Sequence, residues 1–147
     1  MKRLTLALAL AASLVAAPGA SAAKPAKAIT PSANVLGNVV VQPDGTALVR
    51  ARYVCGAEQH LWISAKQVAS RRIDRALEQE GSSAASAAWL QSHPTEFVCD
   101  GTKRTQTFQI DTAEQGFGQL AKGMAWVQFC LVGETSFLSE SRWTHVK

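Results

Sequence analysis

Met124-Ala125-Trp126-Val127-Gln128-Phe129-Cys130-Leu131-Val132 alternates without a break: Ala125, Val127, Phe129 and Leu131 share one side, and Met124, Trp126, Gln128, Cys130 and Val132 the other. A period of two over nine residues is the signature of a strand with one face against a core. The same rhythm recurs upstream. Thr46 to Cys55 places Ala47, Val49, Ala51, Tyr53 and Cys55 on one face, with Arg50 and Arg52 marking the other as the solvated one. His60 to Val68 sets Leu61, Ile63 and Ala65 inward against His60, Trp62, Ser64 and Lys66 outward. Val35 to Val41 is a β-branched run, and the following Gln42-Pro43-Asp44-Gly45-Thr46 has the chemistry of a hairpin turn, with Pro fixing φ and Gly accepting φ > 0.

Further along, Phe97 and Cys99 lead into an Asp100-Gly101 turn, and Thr102 to Ile110 is a Thr-rich strand with Phe108 and Ile110 in phase. Asp111 to Gly123 is a glycine-punctuated connection, and Phe137 to Val146 supplies a last strand. Between Ala69 and His93 the rhythm breaks. Ile73, Ala76 and Leu77 fall on one helical face, which predicts a short helix capped by Gly81. Ser82 to Ala88 is either a loop or a weakly specified strand, anchored by Trp89-Leu90. The expected architecture is therefore all-β: an antiparallel, immunoglobulin-like sandwich of about seven strands with a short helical or irregular insert. A small closed barrel gives the same alternation.

The chain has 147 residues, of which 47% are hydrophobic and 18% charged, and a mean hydropathy of +0.01. Those values exclude a disordered tail, a collagen-like repeat and a multi-pass membrane protein. Residues 1–23 have the three parts of a secretory signal: Lys2 and Arg3, an apolar stretch from Leu4 to Ala17, and the small-residue site Ala20-Ser21-Ala22 after Pro18-Gly19. Cleavage is expected after Ala22 or Ala23. The apolar stretch falls short of the roughly 20 residues that span a bilayer, and no Cys lies at the cleavage site to carry a lipid. The expectation is a secreted, extracellular protein with no membrane anchor after cleavage. Residues 24–34, rich in Ala, Pro and Lys, are expected to be a linker, and 35–147 the folded domain. Loss of the signal removes Lys2 and Arg3, so a formal charge of +4 falls to +2. With no basic cluster beyond Arg71-Arg72 and Lys103-Arg104, nucleic acid is not an expected partner.

Asp44-Gly45-Thr46, Tyr53-Val54-Cys55, His60-Leu61-Trp62-Ile63-Ser64, Val98-Cys99-Asp100-Gly101 and Lys122-Gly123 before a strand ending Phe129-Cys130 resemble, in order and spacing, a family of small secreted immunoglobulin-like bacterial domains of unknown function. The resemblance covers nearly all of the mature chain. It implies a sandwich and secretion, and it carries over no catalytic residue.

Export makes a disulfide plausible, and three cysteines allow three pairings. Cys130 lies on the face opposite Val127 and Phe129, which turns it away from the core. Cys55 with Cys99 is the expected bridge, leaving Cys130 as the free thiol of a monomer or, as the alternative, the link of a covalent dimer. There is no Cys-x-x-Cys; the nearest metal-ligating set is Cys55, Glu58 and His60, and neither a metal nor another cofactor is expected. His60, His93 and His145 stand in no recognisable catalytic spacing, and carboxylate pairs such as Glu96 with Asp100 or Asp111 with Glu114 arise readily by chance among 11 acidic residues. The chain also lacks Gly-x-Ser-x-Gly, His-Glu-x-x-His and a phosphate-binding glycine loop. No enzyme is expected.

Strand phase yields one surface. If the third and sixth strands are neighbours, Trp62, Lys66, Trp126 and Gln128 form one outward face together with His60, Ser64 and Met124, and Trp143 and His145 extend it. Exposed Trp among polar groups has the composition of a recognition surface. The competing expectation is that Ile73, Leu77 and Trp89 fold over this face as a second small core. The function expected is a secreted, non-enzymatic module that binds an extracellular protein, a glycan or a cell-wall component. The alternatives are a protease inhibitor presenting Cys99 to Arg104, and a small secreted hydrolase.

Overall fold

The computed structural model describes residues 29–56, 59–79, 82–134 and 136–147. The signal at 1–23, residues 24–28 of the linker, Glu58 and the Gly81 cap lie outside these. Seven strands follow one another: β1 (Ser32–Val41), β2 (Ala47–Val54), β3 (His60–Gln67), β4 (Ala88–Ser92), β5 (Arg104–Ile110), β6 (Gly123–Val132) and β7 (Phe137–Val146). They hydrogen-bond in the order β4-β3-β6-β7-β1-β2-β5. The fold is all-β, as the alternation requires. β1 begins at Ser32, so the last residues of the expected linker already pair, Ser32 with Val54 and Ala33 with Tyr53.

The expectation of purely antiparallel sheets is corrected at β1. It runs antiparallel to β2 with a register break between Leu36 and Val40, pairs with β2 again at Val40 and Val41, and also pairs parallel with β7 through Val39 and Val146. The result is one mixed, curled sheet. Gly37 sits in the break at φ +66°, a backbone region that costs an L side chain about 1–2 kcal/mol. Side chains of β7 donate to two β1 carbonyls beside the break: Arg142 to Val35 O at 2.9 Å and Thr144 Oγ1 to Gly37 O at 2.6 Å. At the far ends, β4 does not present a bare edge. Trp89 and Phe117 exchange backbone bonds, and so do Gln91 and Asp111, so the chain leaving β5 covers β4.

The curl brings the inward faces together. Tyr53 of β2 and Phe108 of β5 lie 5.9 and 5.8 Å, ring centre to ring centre, from Phe129 of β6. Val49, Ile63, Leu90, Ile110, Val127 and Leu131 close around them, each essentially inaccessible to solvent. Every residue assigned inward on the strands of Tyr53, Ile63 and Phe129 is buried. The Tyr53 hydroxyl, inside this core, donates to Gln106 Oε1 at 2.9 Å.

The insert departs from expectation. Instead of a helix over 71–80, a single 3₁₀ turn spans Arg75–Glu78, started by Asp74, whose carboxylate accepts from Ala76 N at 3.0 Å. A second spans Ser82–Ala85, and Trp89-Leu90 belongs to β4. Leu77 is fully buried, but Ile73 is 57% exposed and Ala76 is exposed. Only one of the three apolar residues therefore faces inward, which is too little to stabilise a longer helix.

Cys55 and Cys99 are bridged. They flank β2 and β5, adjacent strands of one ladder. The sequence separation of 44 gives a chain-entropy stabilisation of about 4 kcal/mol. Replacing both cysteines by Ser is expected to lower the unfolding free energy by about that amount, with the β-sheet spectrum retained; urea titration followed by circular dichroism measures it.

Candidate functional site

β3, β6 and β7 are interior strands of one ladder, and their registers set the outward side chains in rows. Lys66, Trp126 and Trp143 stand abreast, with Trp89 of β4 beside Lys66. The next row is Gln91, Ser64, Gln128 and Ser141, and the third is Trp62, Cys130 and Ser139. His60, Val132 and Phe137 make a fourth. All five residues nominated from strand phase, Trp62, Lys66, Trp126, Gln128 and Trp143, thus share one face.

That face is half covered rather than bare. The 3₁₀ turns lie over the Lys66 row: Lys66 is 5% exposed, and its Nζ donates to Ser82 Oγ at 3.0 Å, which in turn donates to Leu77 O at 2.9 Å. The ammonium also sits 5.6 Å from the centre of the Trp89 ring. Burial pulls the Lys66 pKa below its usual range. Trp143 Nε1 donates to Glu78 Oε1 at 2.7 Å, tying the first 3₁₀ turn to β7. The rings of Trp126 and Trp143 lie 5.4 Å apart. Trp62 Nε1 donates to Gln91 Oε1 at 3.0 Å.

Two depressions remain, and Trp62 and Lys66 border both. The larger, of about 620 Å³, has Gln128, Cys130, Ser139 and Ser141 along it, Glu78 beside it, and Val132 with Phe137 at its other end. The second, of about 430 Å³, runs toward Trp89, Gln91, Ser83 and the His93–Glu114 pair. Four buried polar atoms on this face have no hydrogen-bond partner among the described residues: Ser64 Oγ, Trp89 Nε1, Trp126 Nε1 and Gln128 Oε1. Two are donors, one is an acceptor and one can be either.

Cys130 is a free, buried thiol in the larger groove. Burial pushes its pKa up, against the Ser139 hydroxyl at 3.5 Å and the charge of Lys66, which pull the other way.

Of the four acidic residues nominated from sequence, Asp100, Asp111 and Glu114 have local structural partners. Asp100 accepts from Thr102 N and Oγ1 and pairs with Arg104, which holds its carboxyl well below the usual range. Asp111 accepts from Ala113 N at 2.8 Å, and Glu114 pairs with His93. Among the described residues no group of three His, Cys, Asp or Glu side chains converges as a metal site. Sequence reasoning missed Gln91, Glu78, Ser139 and Ser141 as members of the face. The two serines were readable from the period of β7; Gln91 and Glu78 arrive with the insert, whose path has no periodic signal.

In comparisons with known proteins, the chain matches no family model and no curated sequence.

Native Cys130 is expected to alkylate slowly even near pH 9.0, the ordinary thiol pKa, and at least about tenfold faster in denaturant. Intact mass under non-reducing conditions counts the label; fast native labelling at Cys130 would contradict its burial.

Proposed function

We propose that this chain is a secreted, non-enzymatic binding module for an extracellular protein, glycan or cell-wall component, working as a monomer through the outward face of β3, β6 and β7. The observation that carries the reading is the convergence of Trp62, Trp126 and Trp143 with Gln128 and Lys66 beside a 620 Å³ groove lined by amide, hydroxyl and aromatic side chains. Aromatic surface with a few polar groups is the composition of ligand sites. The proposed architecture is an immunoglobulin-like sandwich of the family named above. Its support is the strand order: β2 and β5 make one layer and β4, β3, β6 and β7 the other, with β1 passing between them at Gly37.

The disulfide-anchored segment Cys99 to Arg104 supports an inhibitor reading less well. It curls on itself through the Asp100–Thr102 bonds and Gly101 at φ +79°, and Gly101 N is held by Cys55 O at 2.9 Å. A segment bent in that way does not offer the extended backbone that a protease reads.

The test is a nuclear magnetic resonance titration of the mature protein with soluble cell-wall fragments, oligosaccharides and peptides, using the four indole N–H signals as reporters. A ligand of this module is expected to move the Trp62 and Trp143 signals and to leave the β2–β5 face unperturbed. Turnover of a probe, or shifts confined to β2 and β5, would overturn the reading.

A further inference from the structure

The walls of the larger groove narrow the class of ligand. Its charged lining residues are one cation, Lys66, and one anion, Glu78, which disfavours polyanions and polycations alike. Its remaining polar groups are an amide, Gln128, and two hydroxyls, Ser139 and Ser141, each able to donate and accept. Two aromatic rings flank this polar strip: Trp62 on the β3 side, half-buried, and Phe137 at the far end, 70% exposed. Val132, 41% exposed and opposite Phe137, makes that end apolar.

The backbone excludes one mode of recognition. β3, β6 and β7 are interior strands whose ladders are occupied on both sides, and β4 is covered by the segment from Asp111 to Phe117. A peptide cannot add here as a further strand. The groove offers only side chains, and from Gln128 to Val132 it extends roughly 13 Å along β6. Alternating hydroxyl-bonding groups and aromatic faces over that length suit sugar rings, whose edges carry hydroxyls and whose faces carry C–H groups. The amide of Gln128, half-exposed with its oxygen buried, turns its N–H₂ to the groove and suits a ligand carbonyl. The apolar Val132–Phe137 end suits a methyl group. An acetamido substituent on a hexose brings both.

We infer that the groove bounded by Trp62, Gln128, Ser139, Ser141 and Phe137 binds a short oligosaccharide of N-acetylated hexosamines. The inference rests on the binding-module reading above and names its ligand class. Trp62 and Phe137 contact the ring faces, Ser139 and Ser141 the ring hydroxyls, and Gln128 the acetamido group.

The probes are triacetylchitotriose, cellotriose (the same linkage without acetamido groups) and a Ser/Gln-rich tetrapeptide, each added to the mature, disulfide-bonded protein and followed by calorimetry and by amide and indole signals. Triacetylchitotriose is expected to bind and to move the signals of Trp62, Gln128 and Phe137, with cellotriose at least about fivefold weaker. Trp62→Ala is expected to weaken binding about tenfold or more. Phe137→Ser changes an exposed residue and leaves the core untouched, so it tests the site even if the Trp62 variant folds poorly; a loss of about fivefold is expected. Thr105→Ala, on β5, is expected to change nothing. Equal binding of cellotriose would overturn the acetamido assignment. Shifts on this face with the peptide and none with either sugar would overturn the saccharide and keep the binding module. Silence of the face with every probe would overturn the saccharide, and its persistence across the wider titration above would overturn the module as well.

Discussion

The rest of this fold depends on β1 pairing along both of its edges. It stays antiparallel to β2 on either side of an irregularity between Leu36 and Val40, and there it also meets β7 in parallel, so one strand joins β2 and β5 to β7 and β6. Buried backbone carbonyls need partners, and at the irregularity side chains of β7 supply them: Arg142 donates to Val35 O and Thr144 to Gly37 O. The strand that β1 joins thus also stabilises its bend. A side chain at position 37 would meet no atom within 4 Å, so glycine is required there for its backbone angle and not for space.

Once the sheet has curled, packing follows from a small aromatic cluster. Tyr53, Phe108 and Phe129 come from three strands and from both sides of the core, with Phe97 edge-on to Tyr53 at 6.4 Å. The disulfide adds a different constraint. It joins the exit of β2 to the entry of β5, neighbours in one ladder, so it fixes the long excursion between them rather than clamping the two sides of the core. Covalent closure and apolar burial therefore stabilise separate parts of the molecule: the first limits the path of residues 56–98, the second holds the curl.

The sequence made the strands legible wherever one face is buried and the other wet, because only then does the period of two appear. β2, with Arg50 and Arg52 opposite Val49 and Tyr53, and β6, with its unbroken alternation, are of this kind. β7 runs over Phe137–Val146, the stretch read as the last strand. The parallel contact of β1 with β7 was not legible, since it rests on a single residue pair beyond a bulge. β4 was blurred because its five residues, Ala88 to Ser92, are buried on both faces and follow a Ser/Ala run with no pattern. The site divides in the same way. Parity placed Trp62, Lys66, Trp126 and Gln128 together, whereas the burial of Lys66 depends on Ser82 and Trp89, which reach it through tertiary structure alone.

The covered part of the outward face is where stability and recognition pull apart. A second small core would have been better served by apolar residues: a buried polar atom left unpaired costs about 1–3 kcal/mol, against a total stability of about 5–15 kcal/mol for a domain of this kind. Yet Ser64, Trp89, Trp126 and Gln128 each keep such an atom beneath or beside the insert, and Lys66 keeps a charge there held by one hydroxyl and one indole face. Among the described residues the inward face leaves no such atom unpaired: the Tyr53 hydroxyl is bonded to Gln106, and that of Thr144 to Gly37 O. The contrast between the two faces of one sheet separates their tasks. The inward face is built to hold the curl, and the outward face retains polar groups whose pairing the fold itself does not supply, one of which, Gln128, belongs to the groove between Trp62 and Ser141.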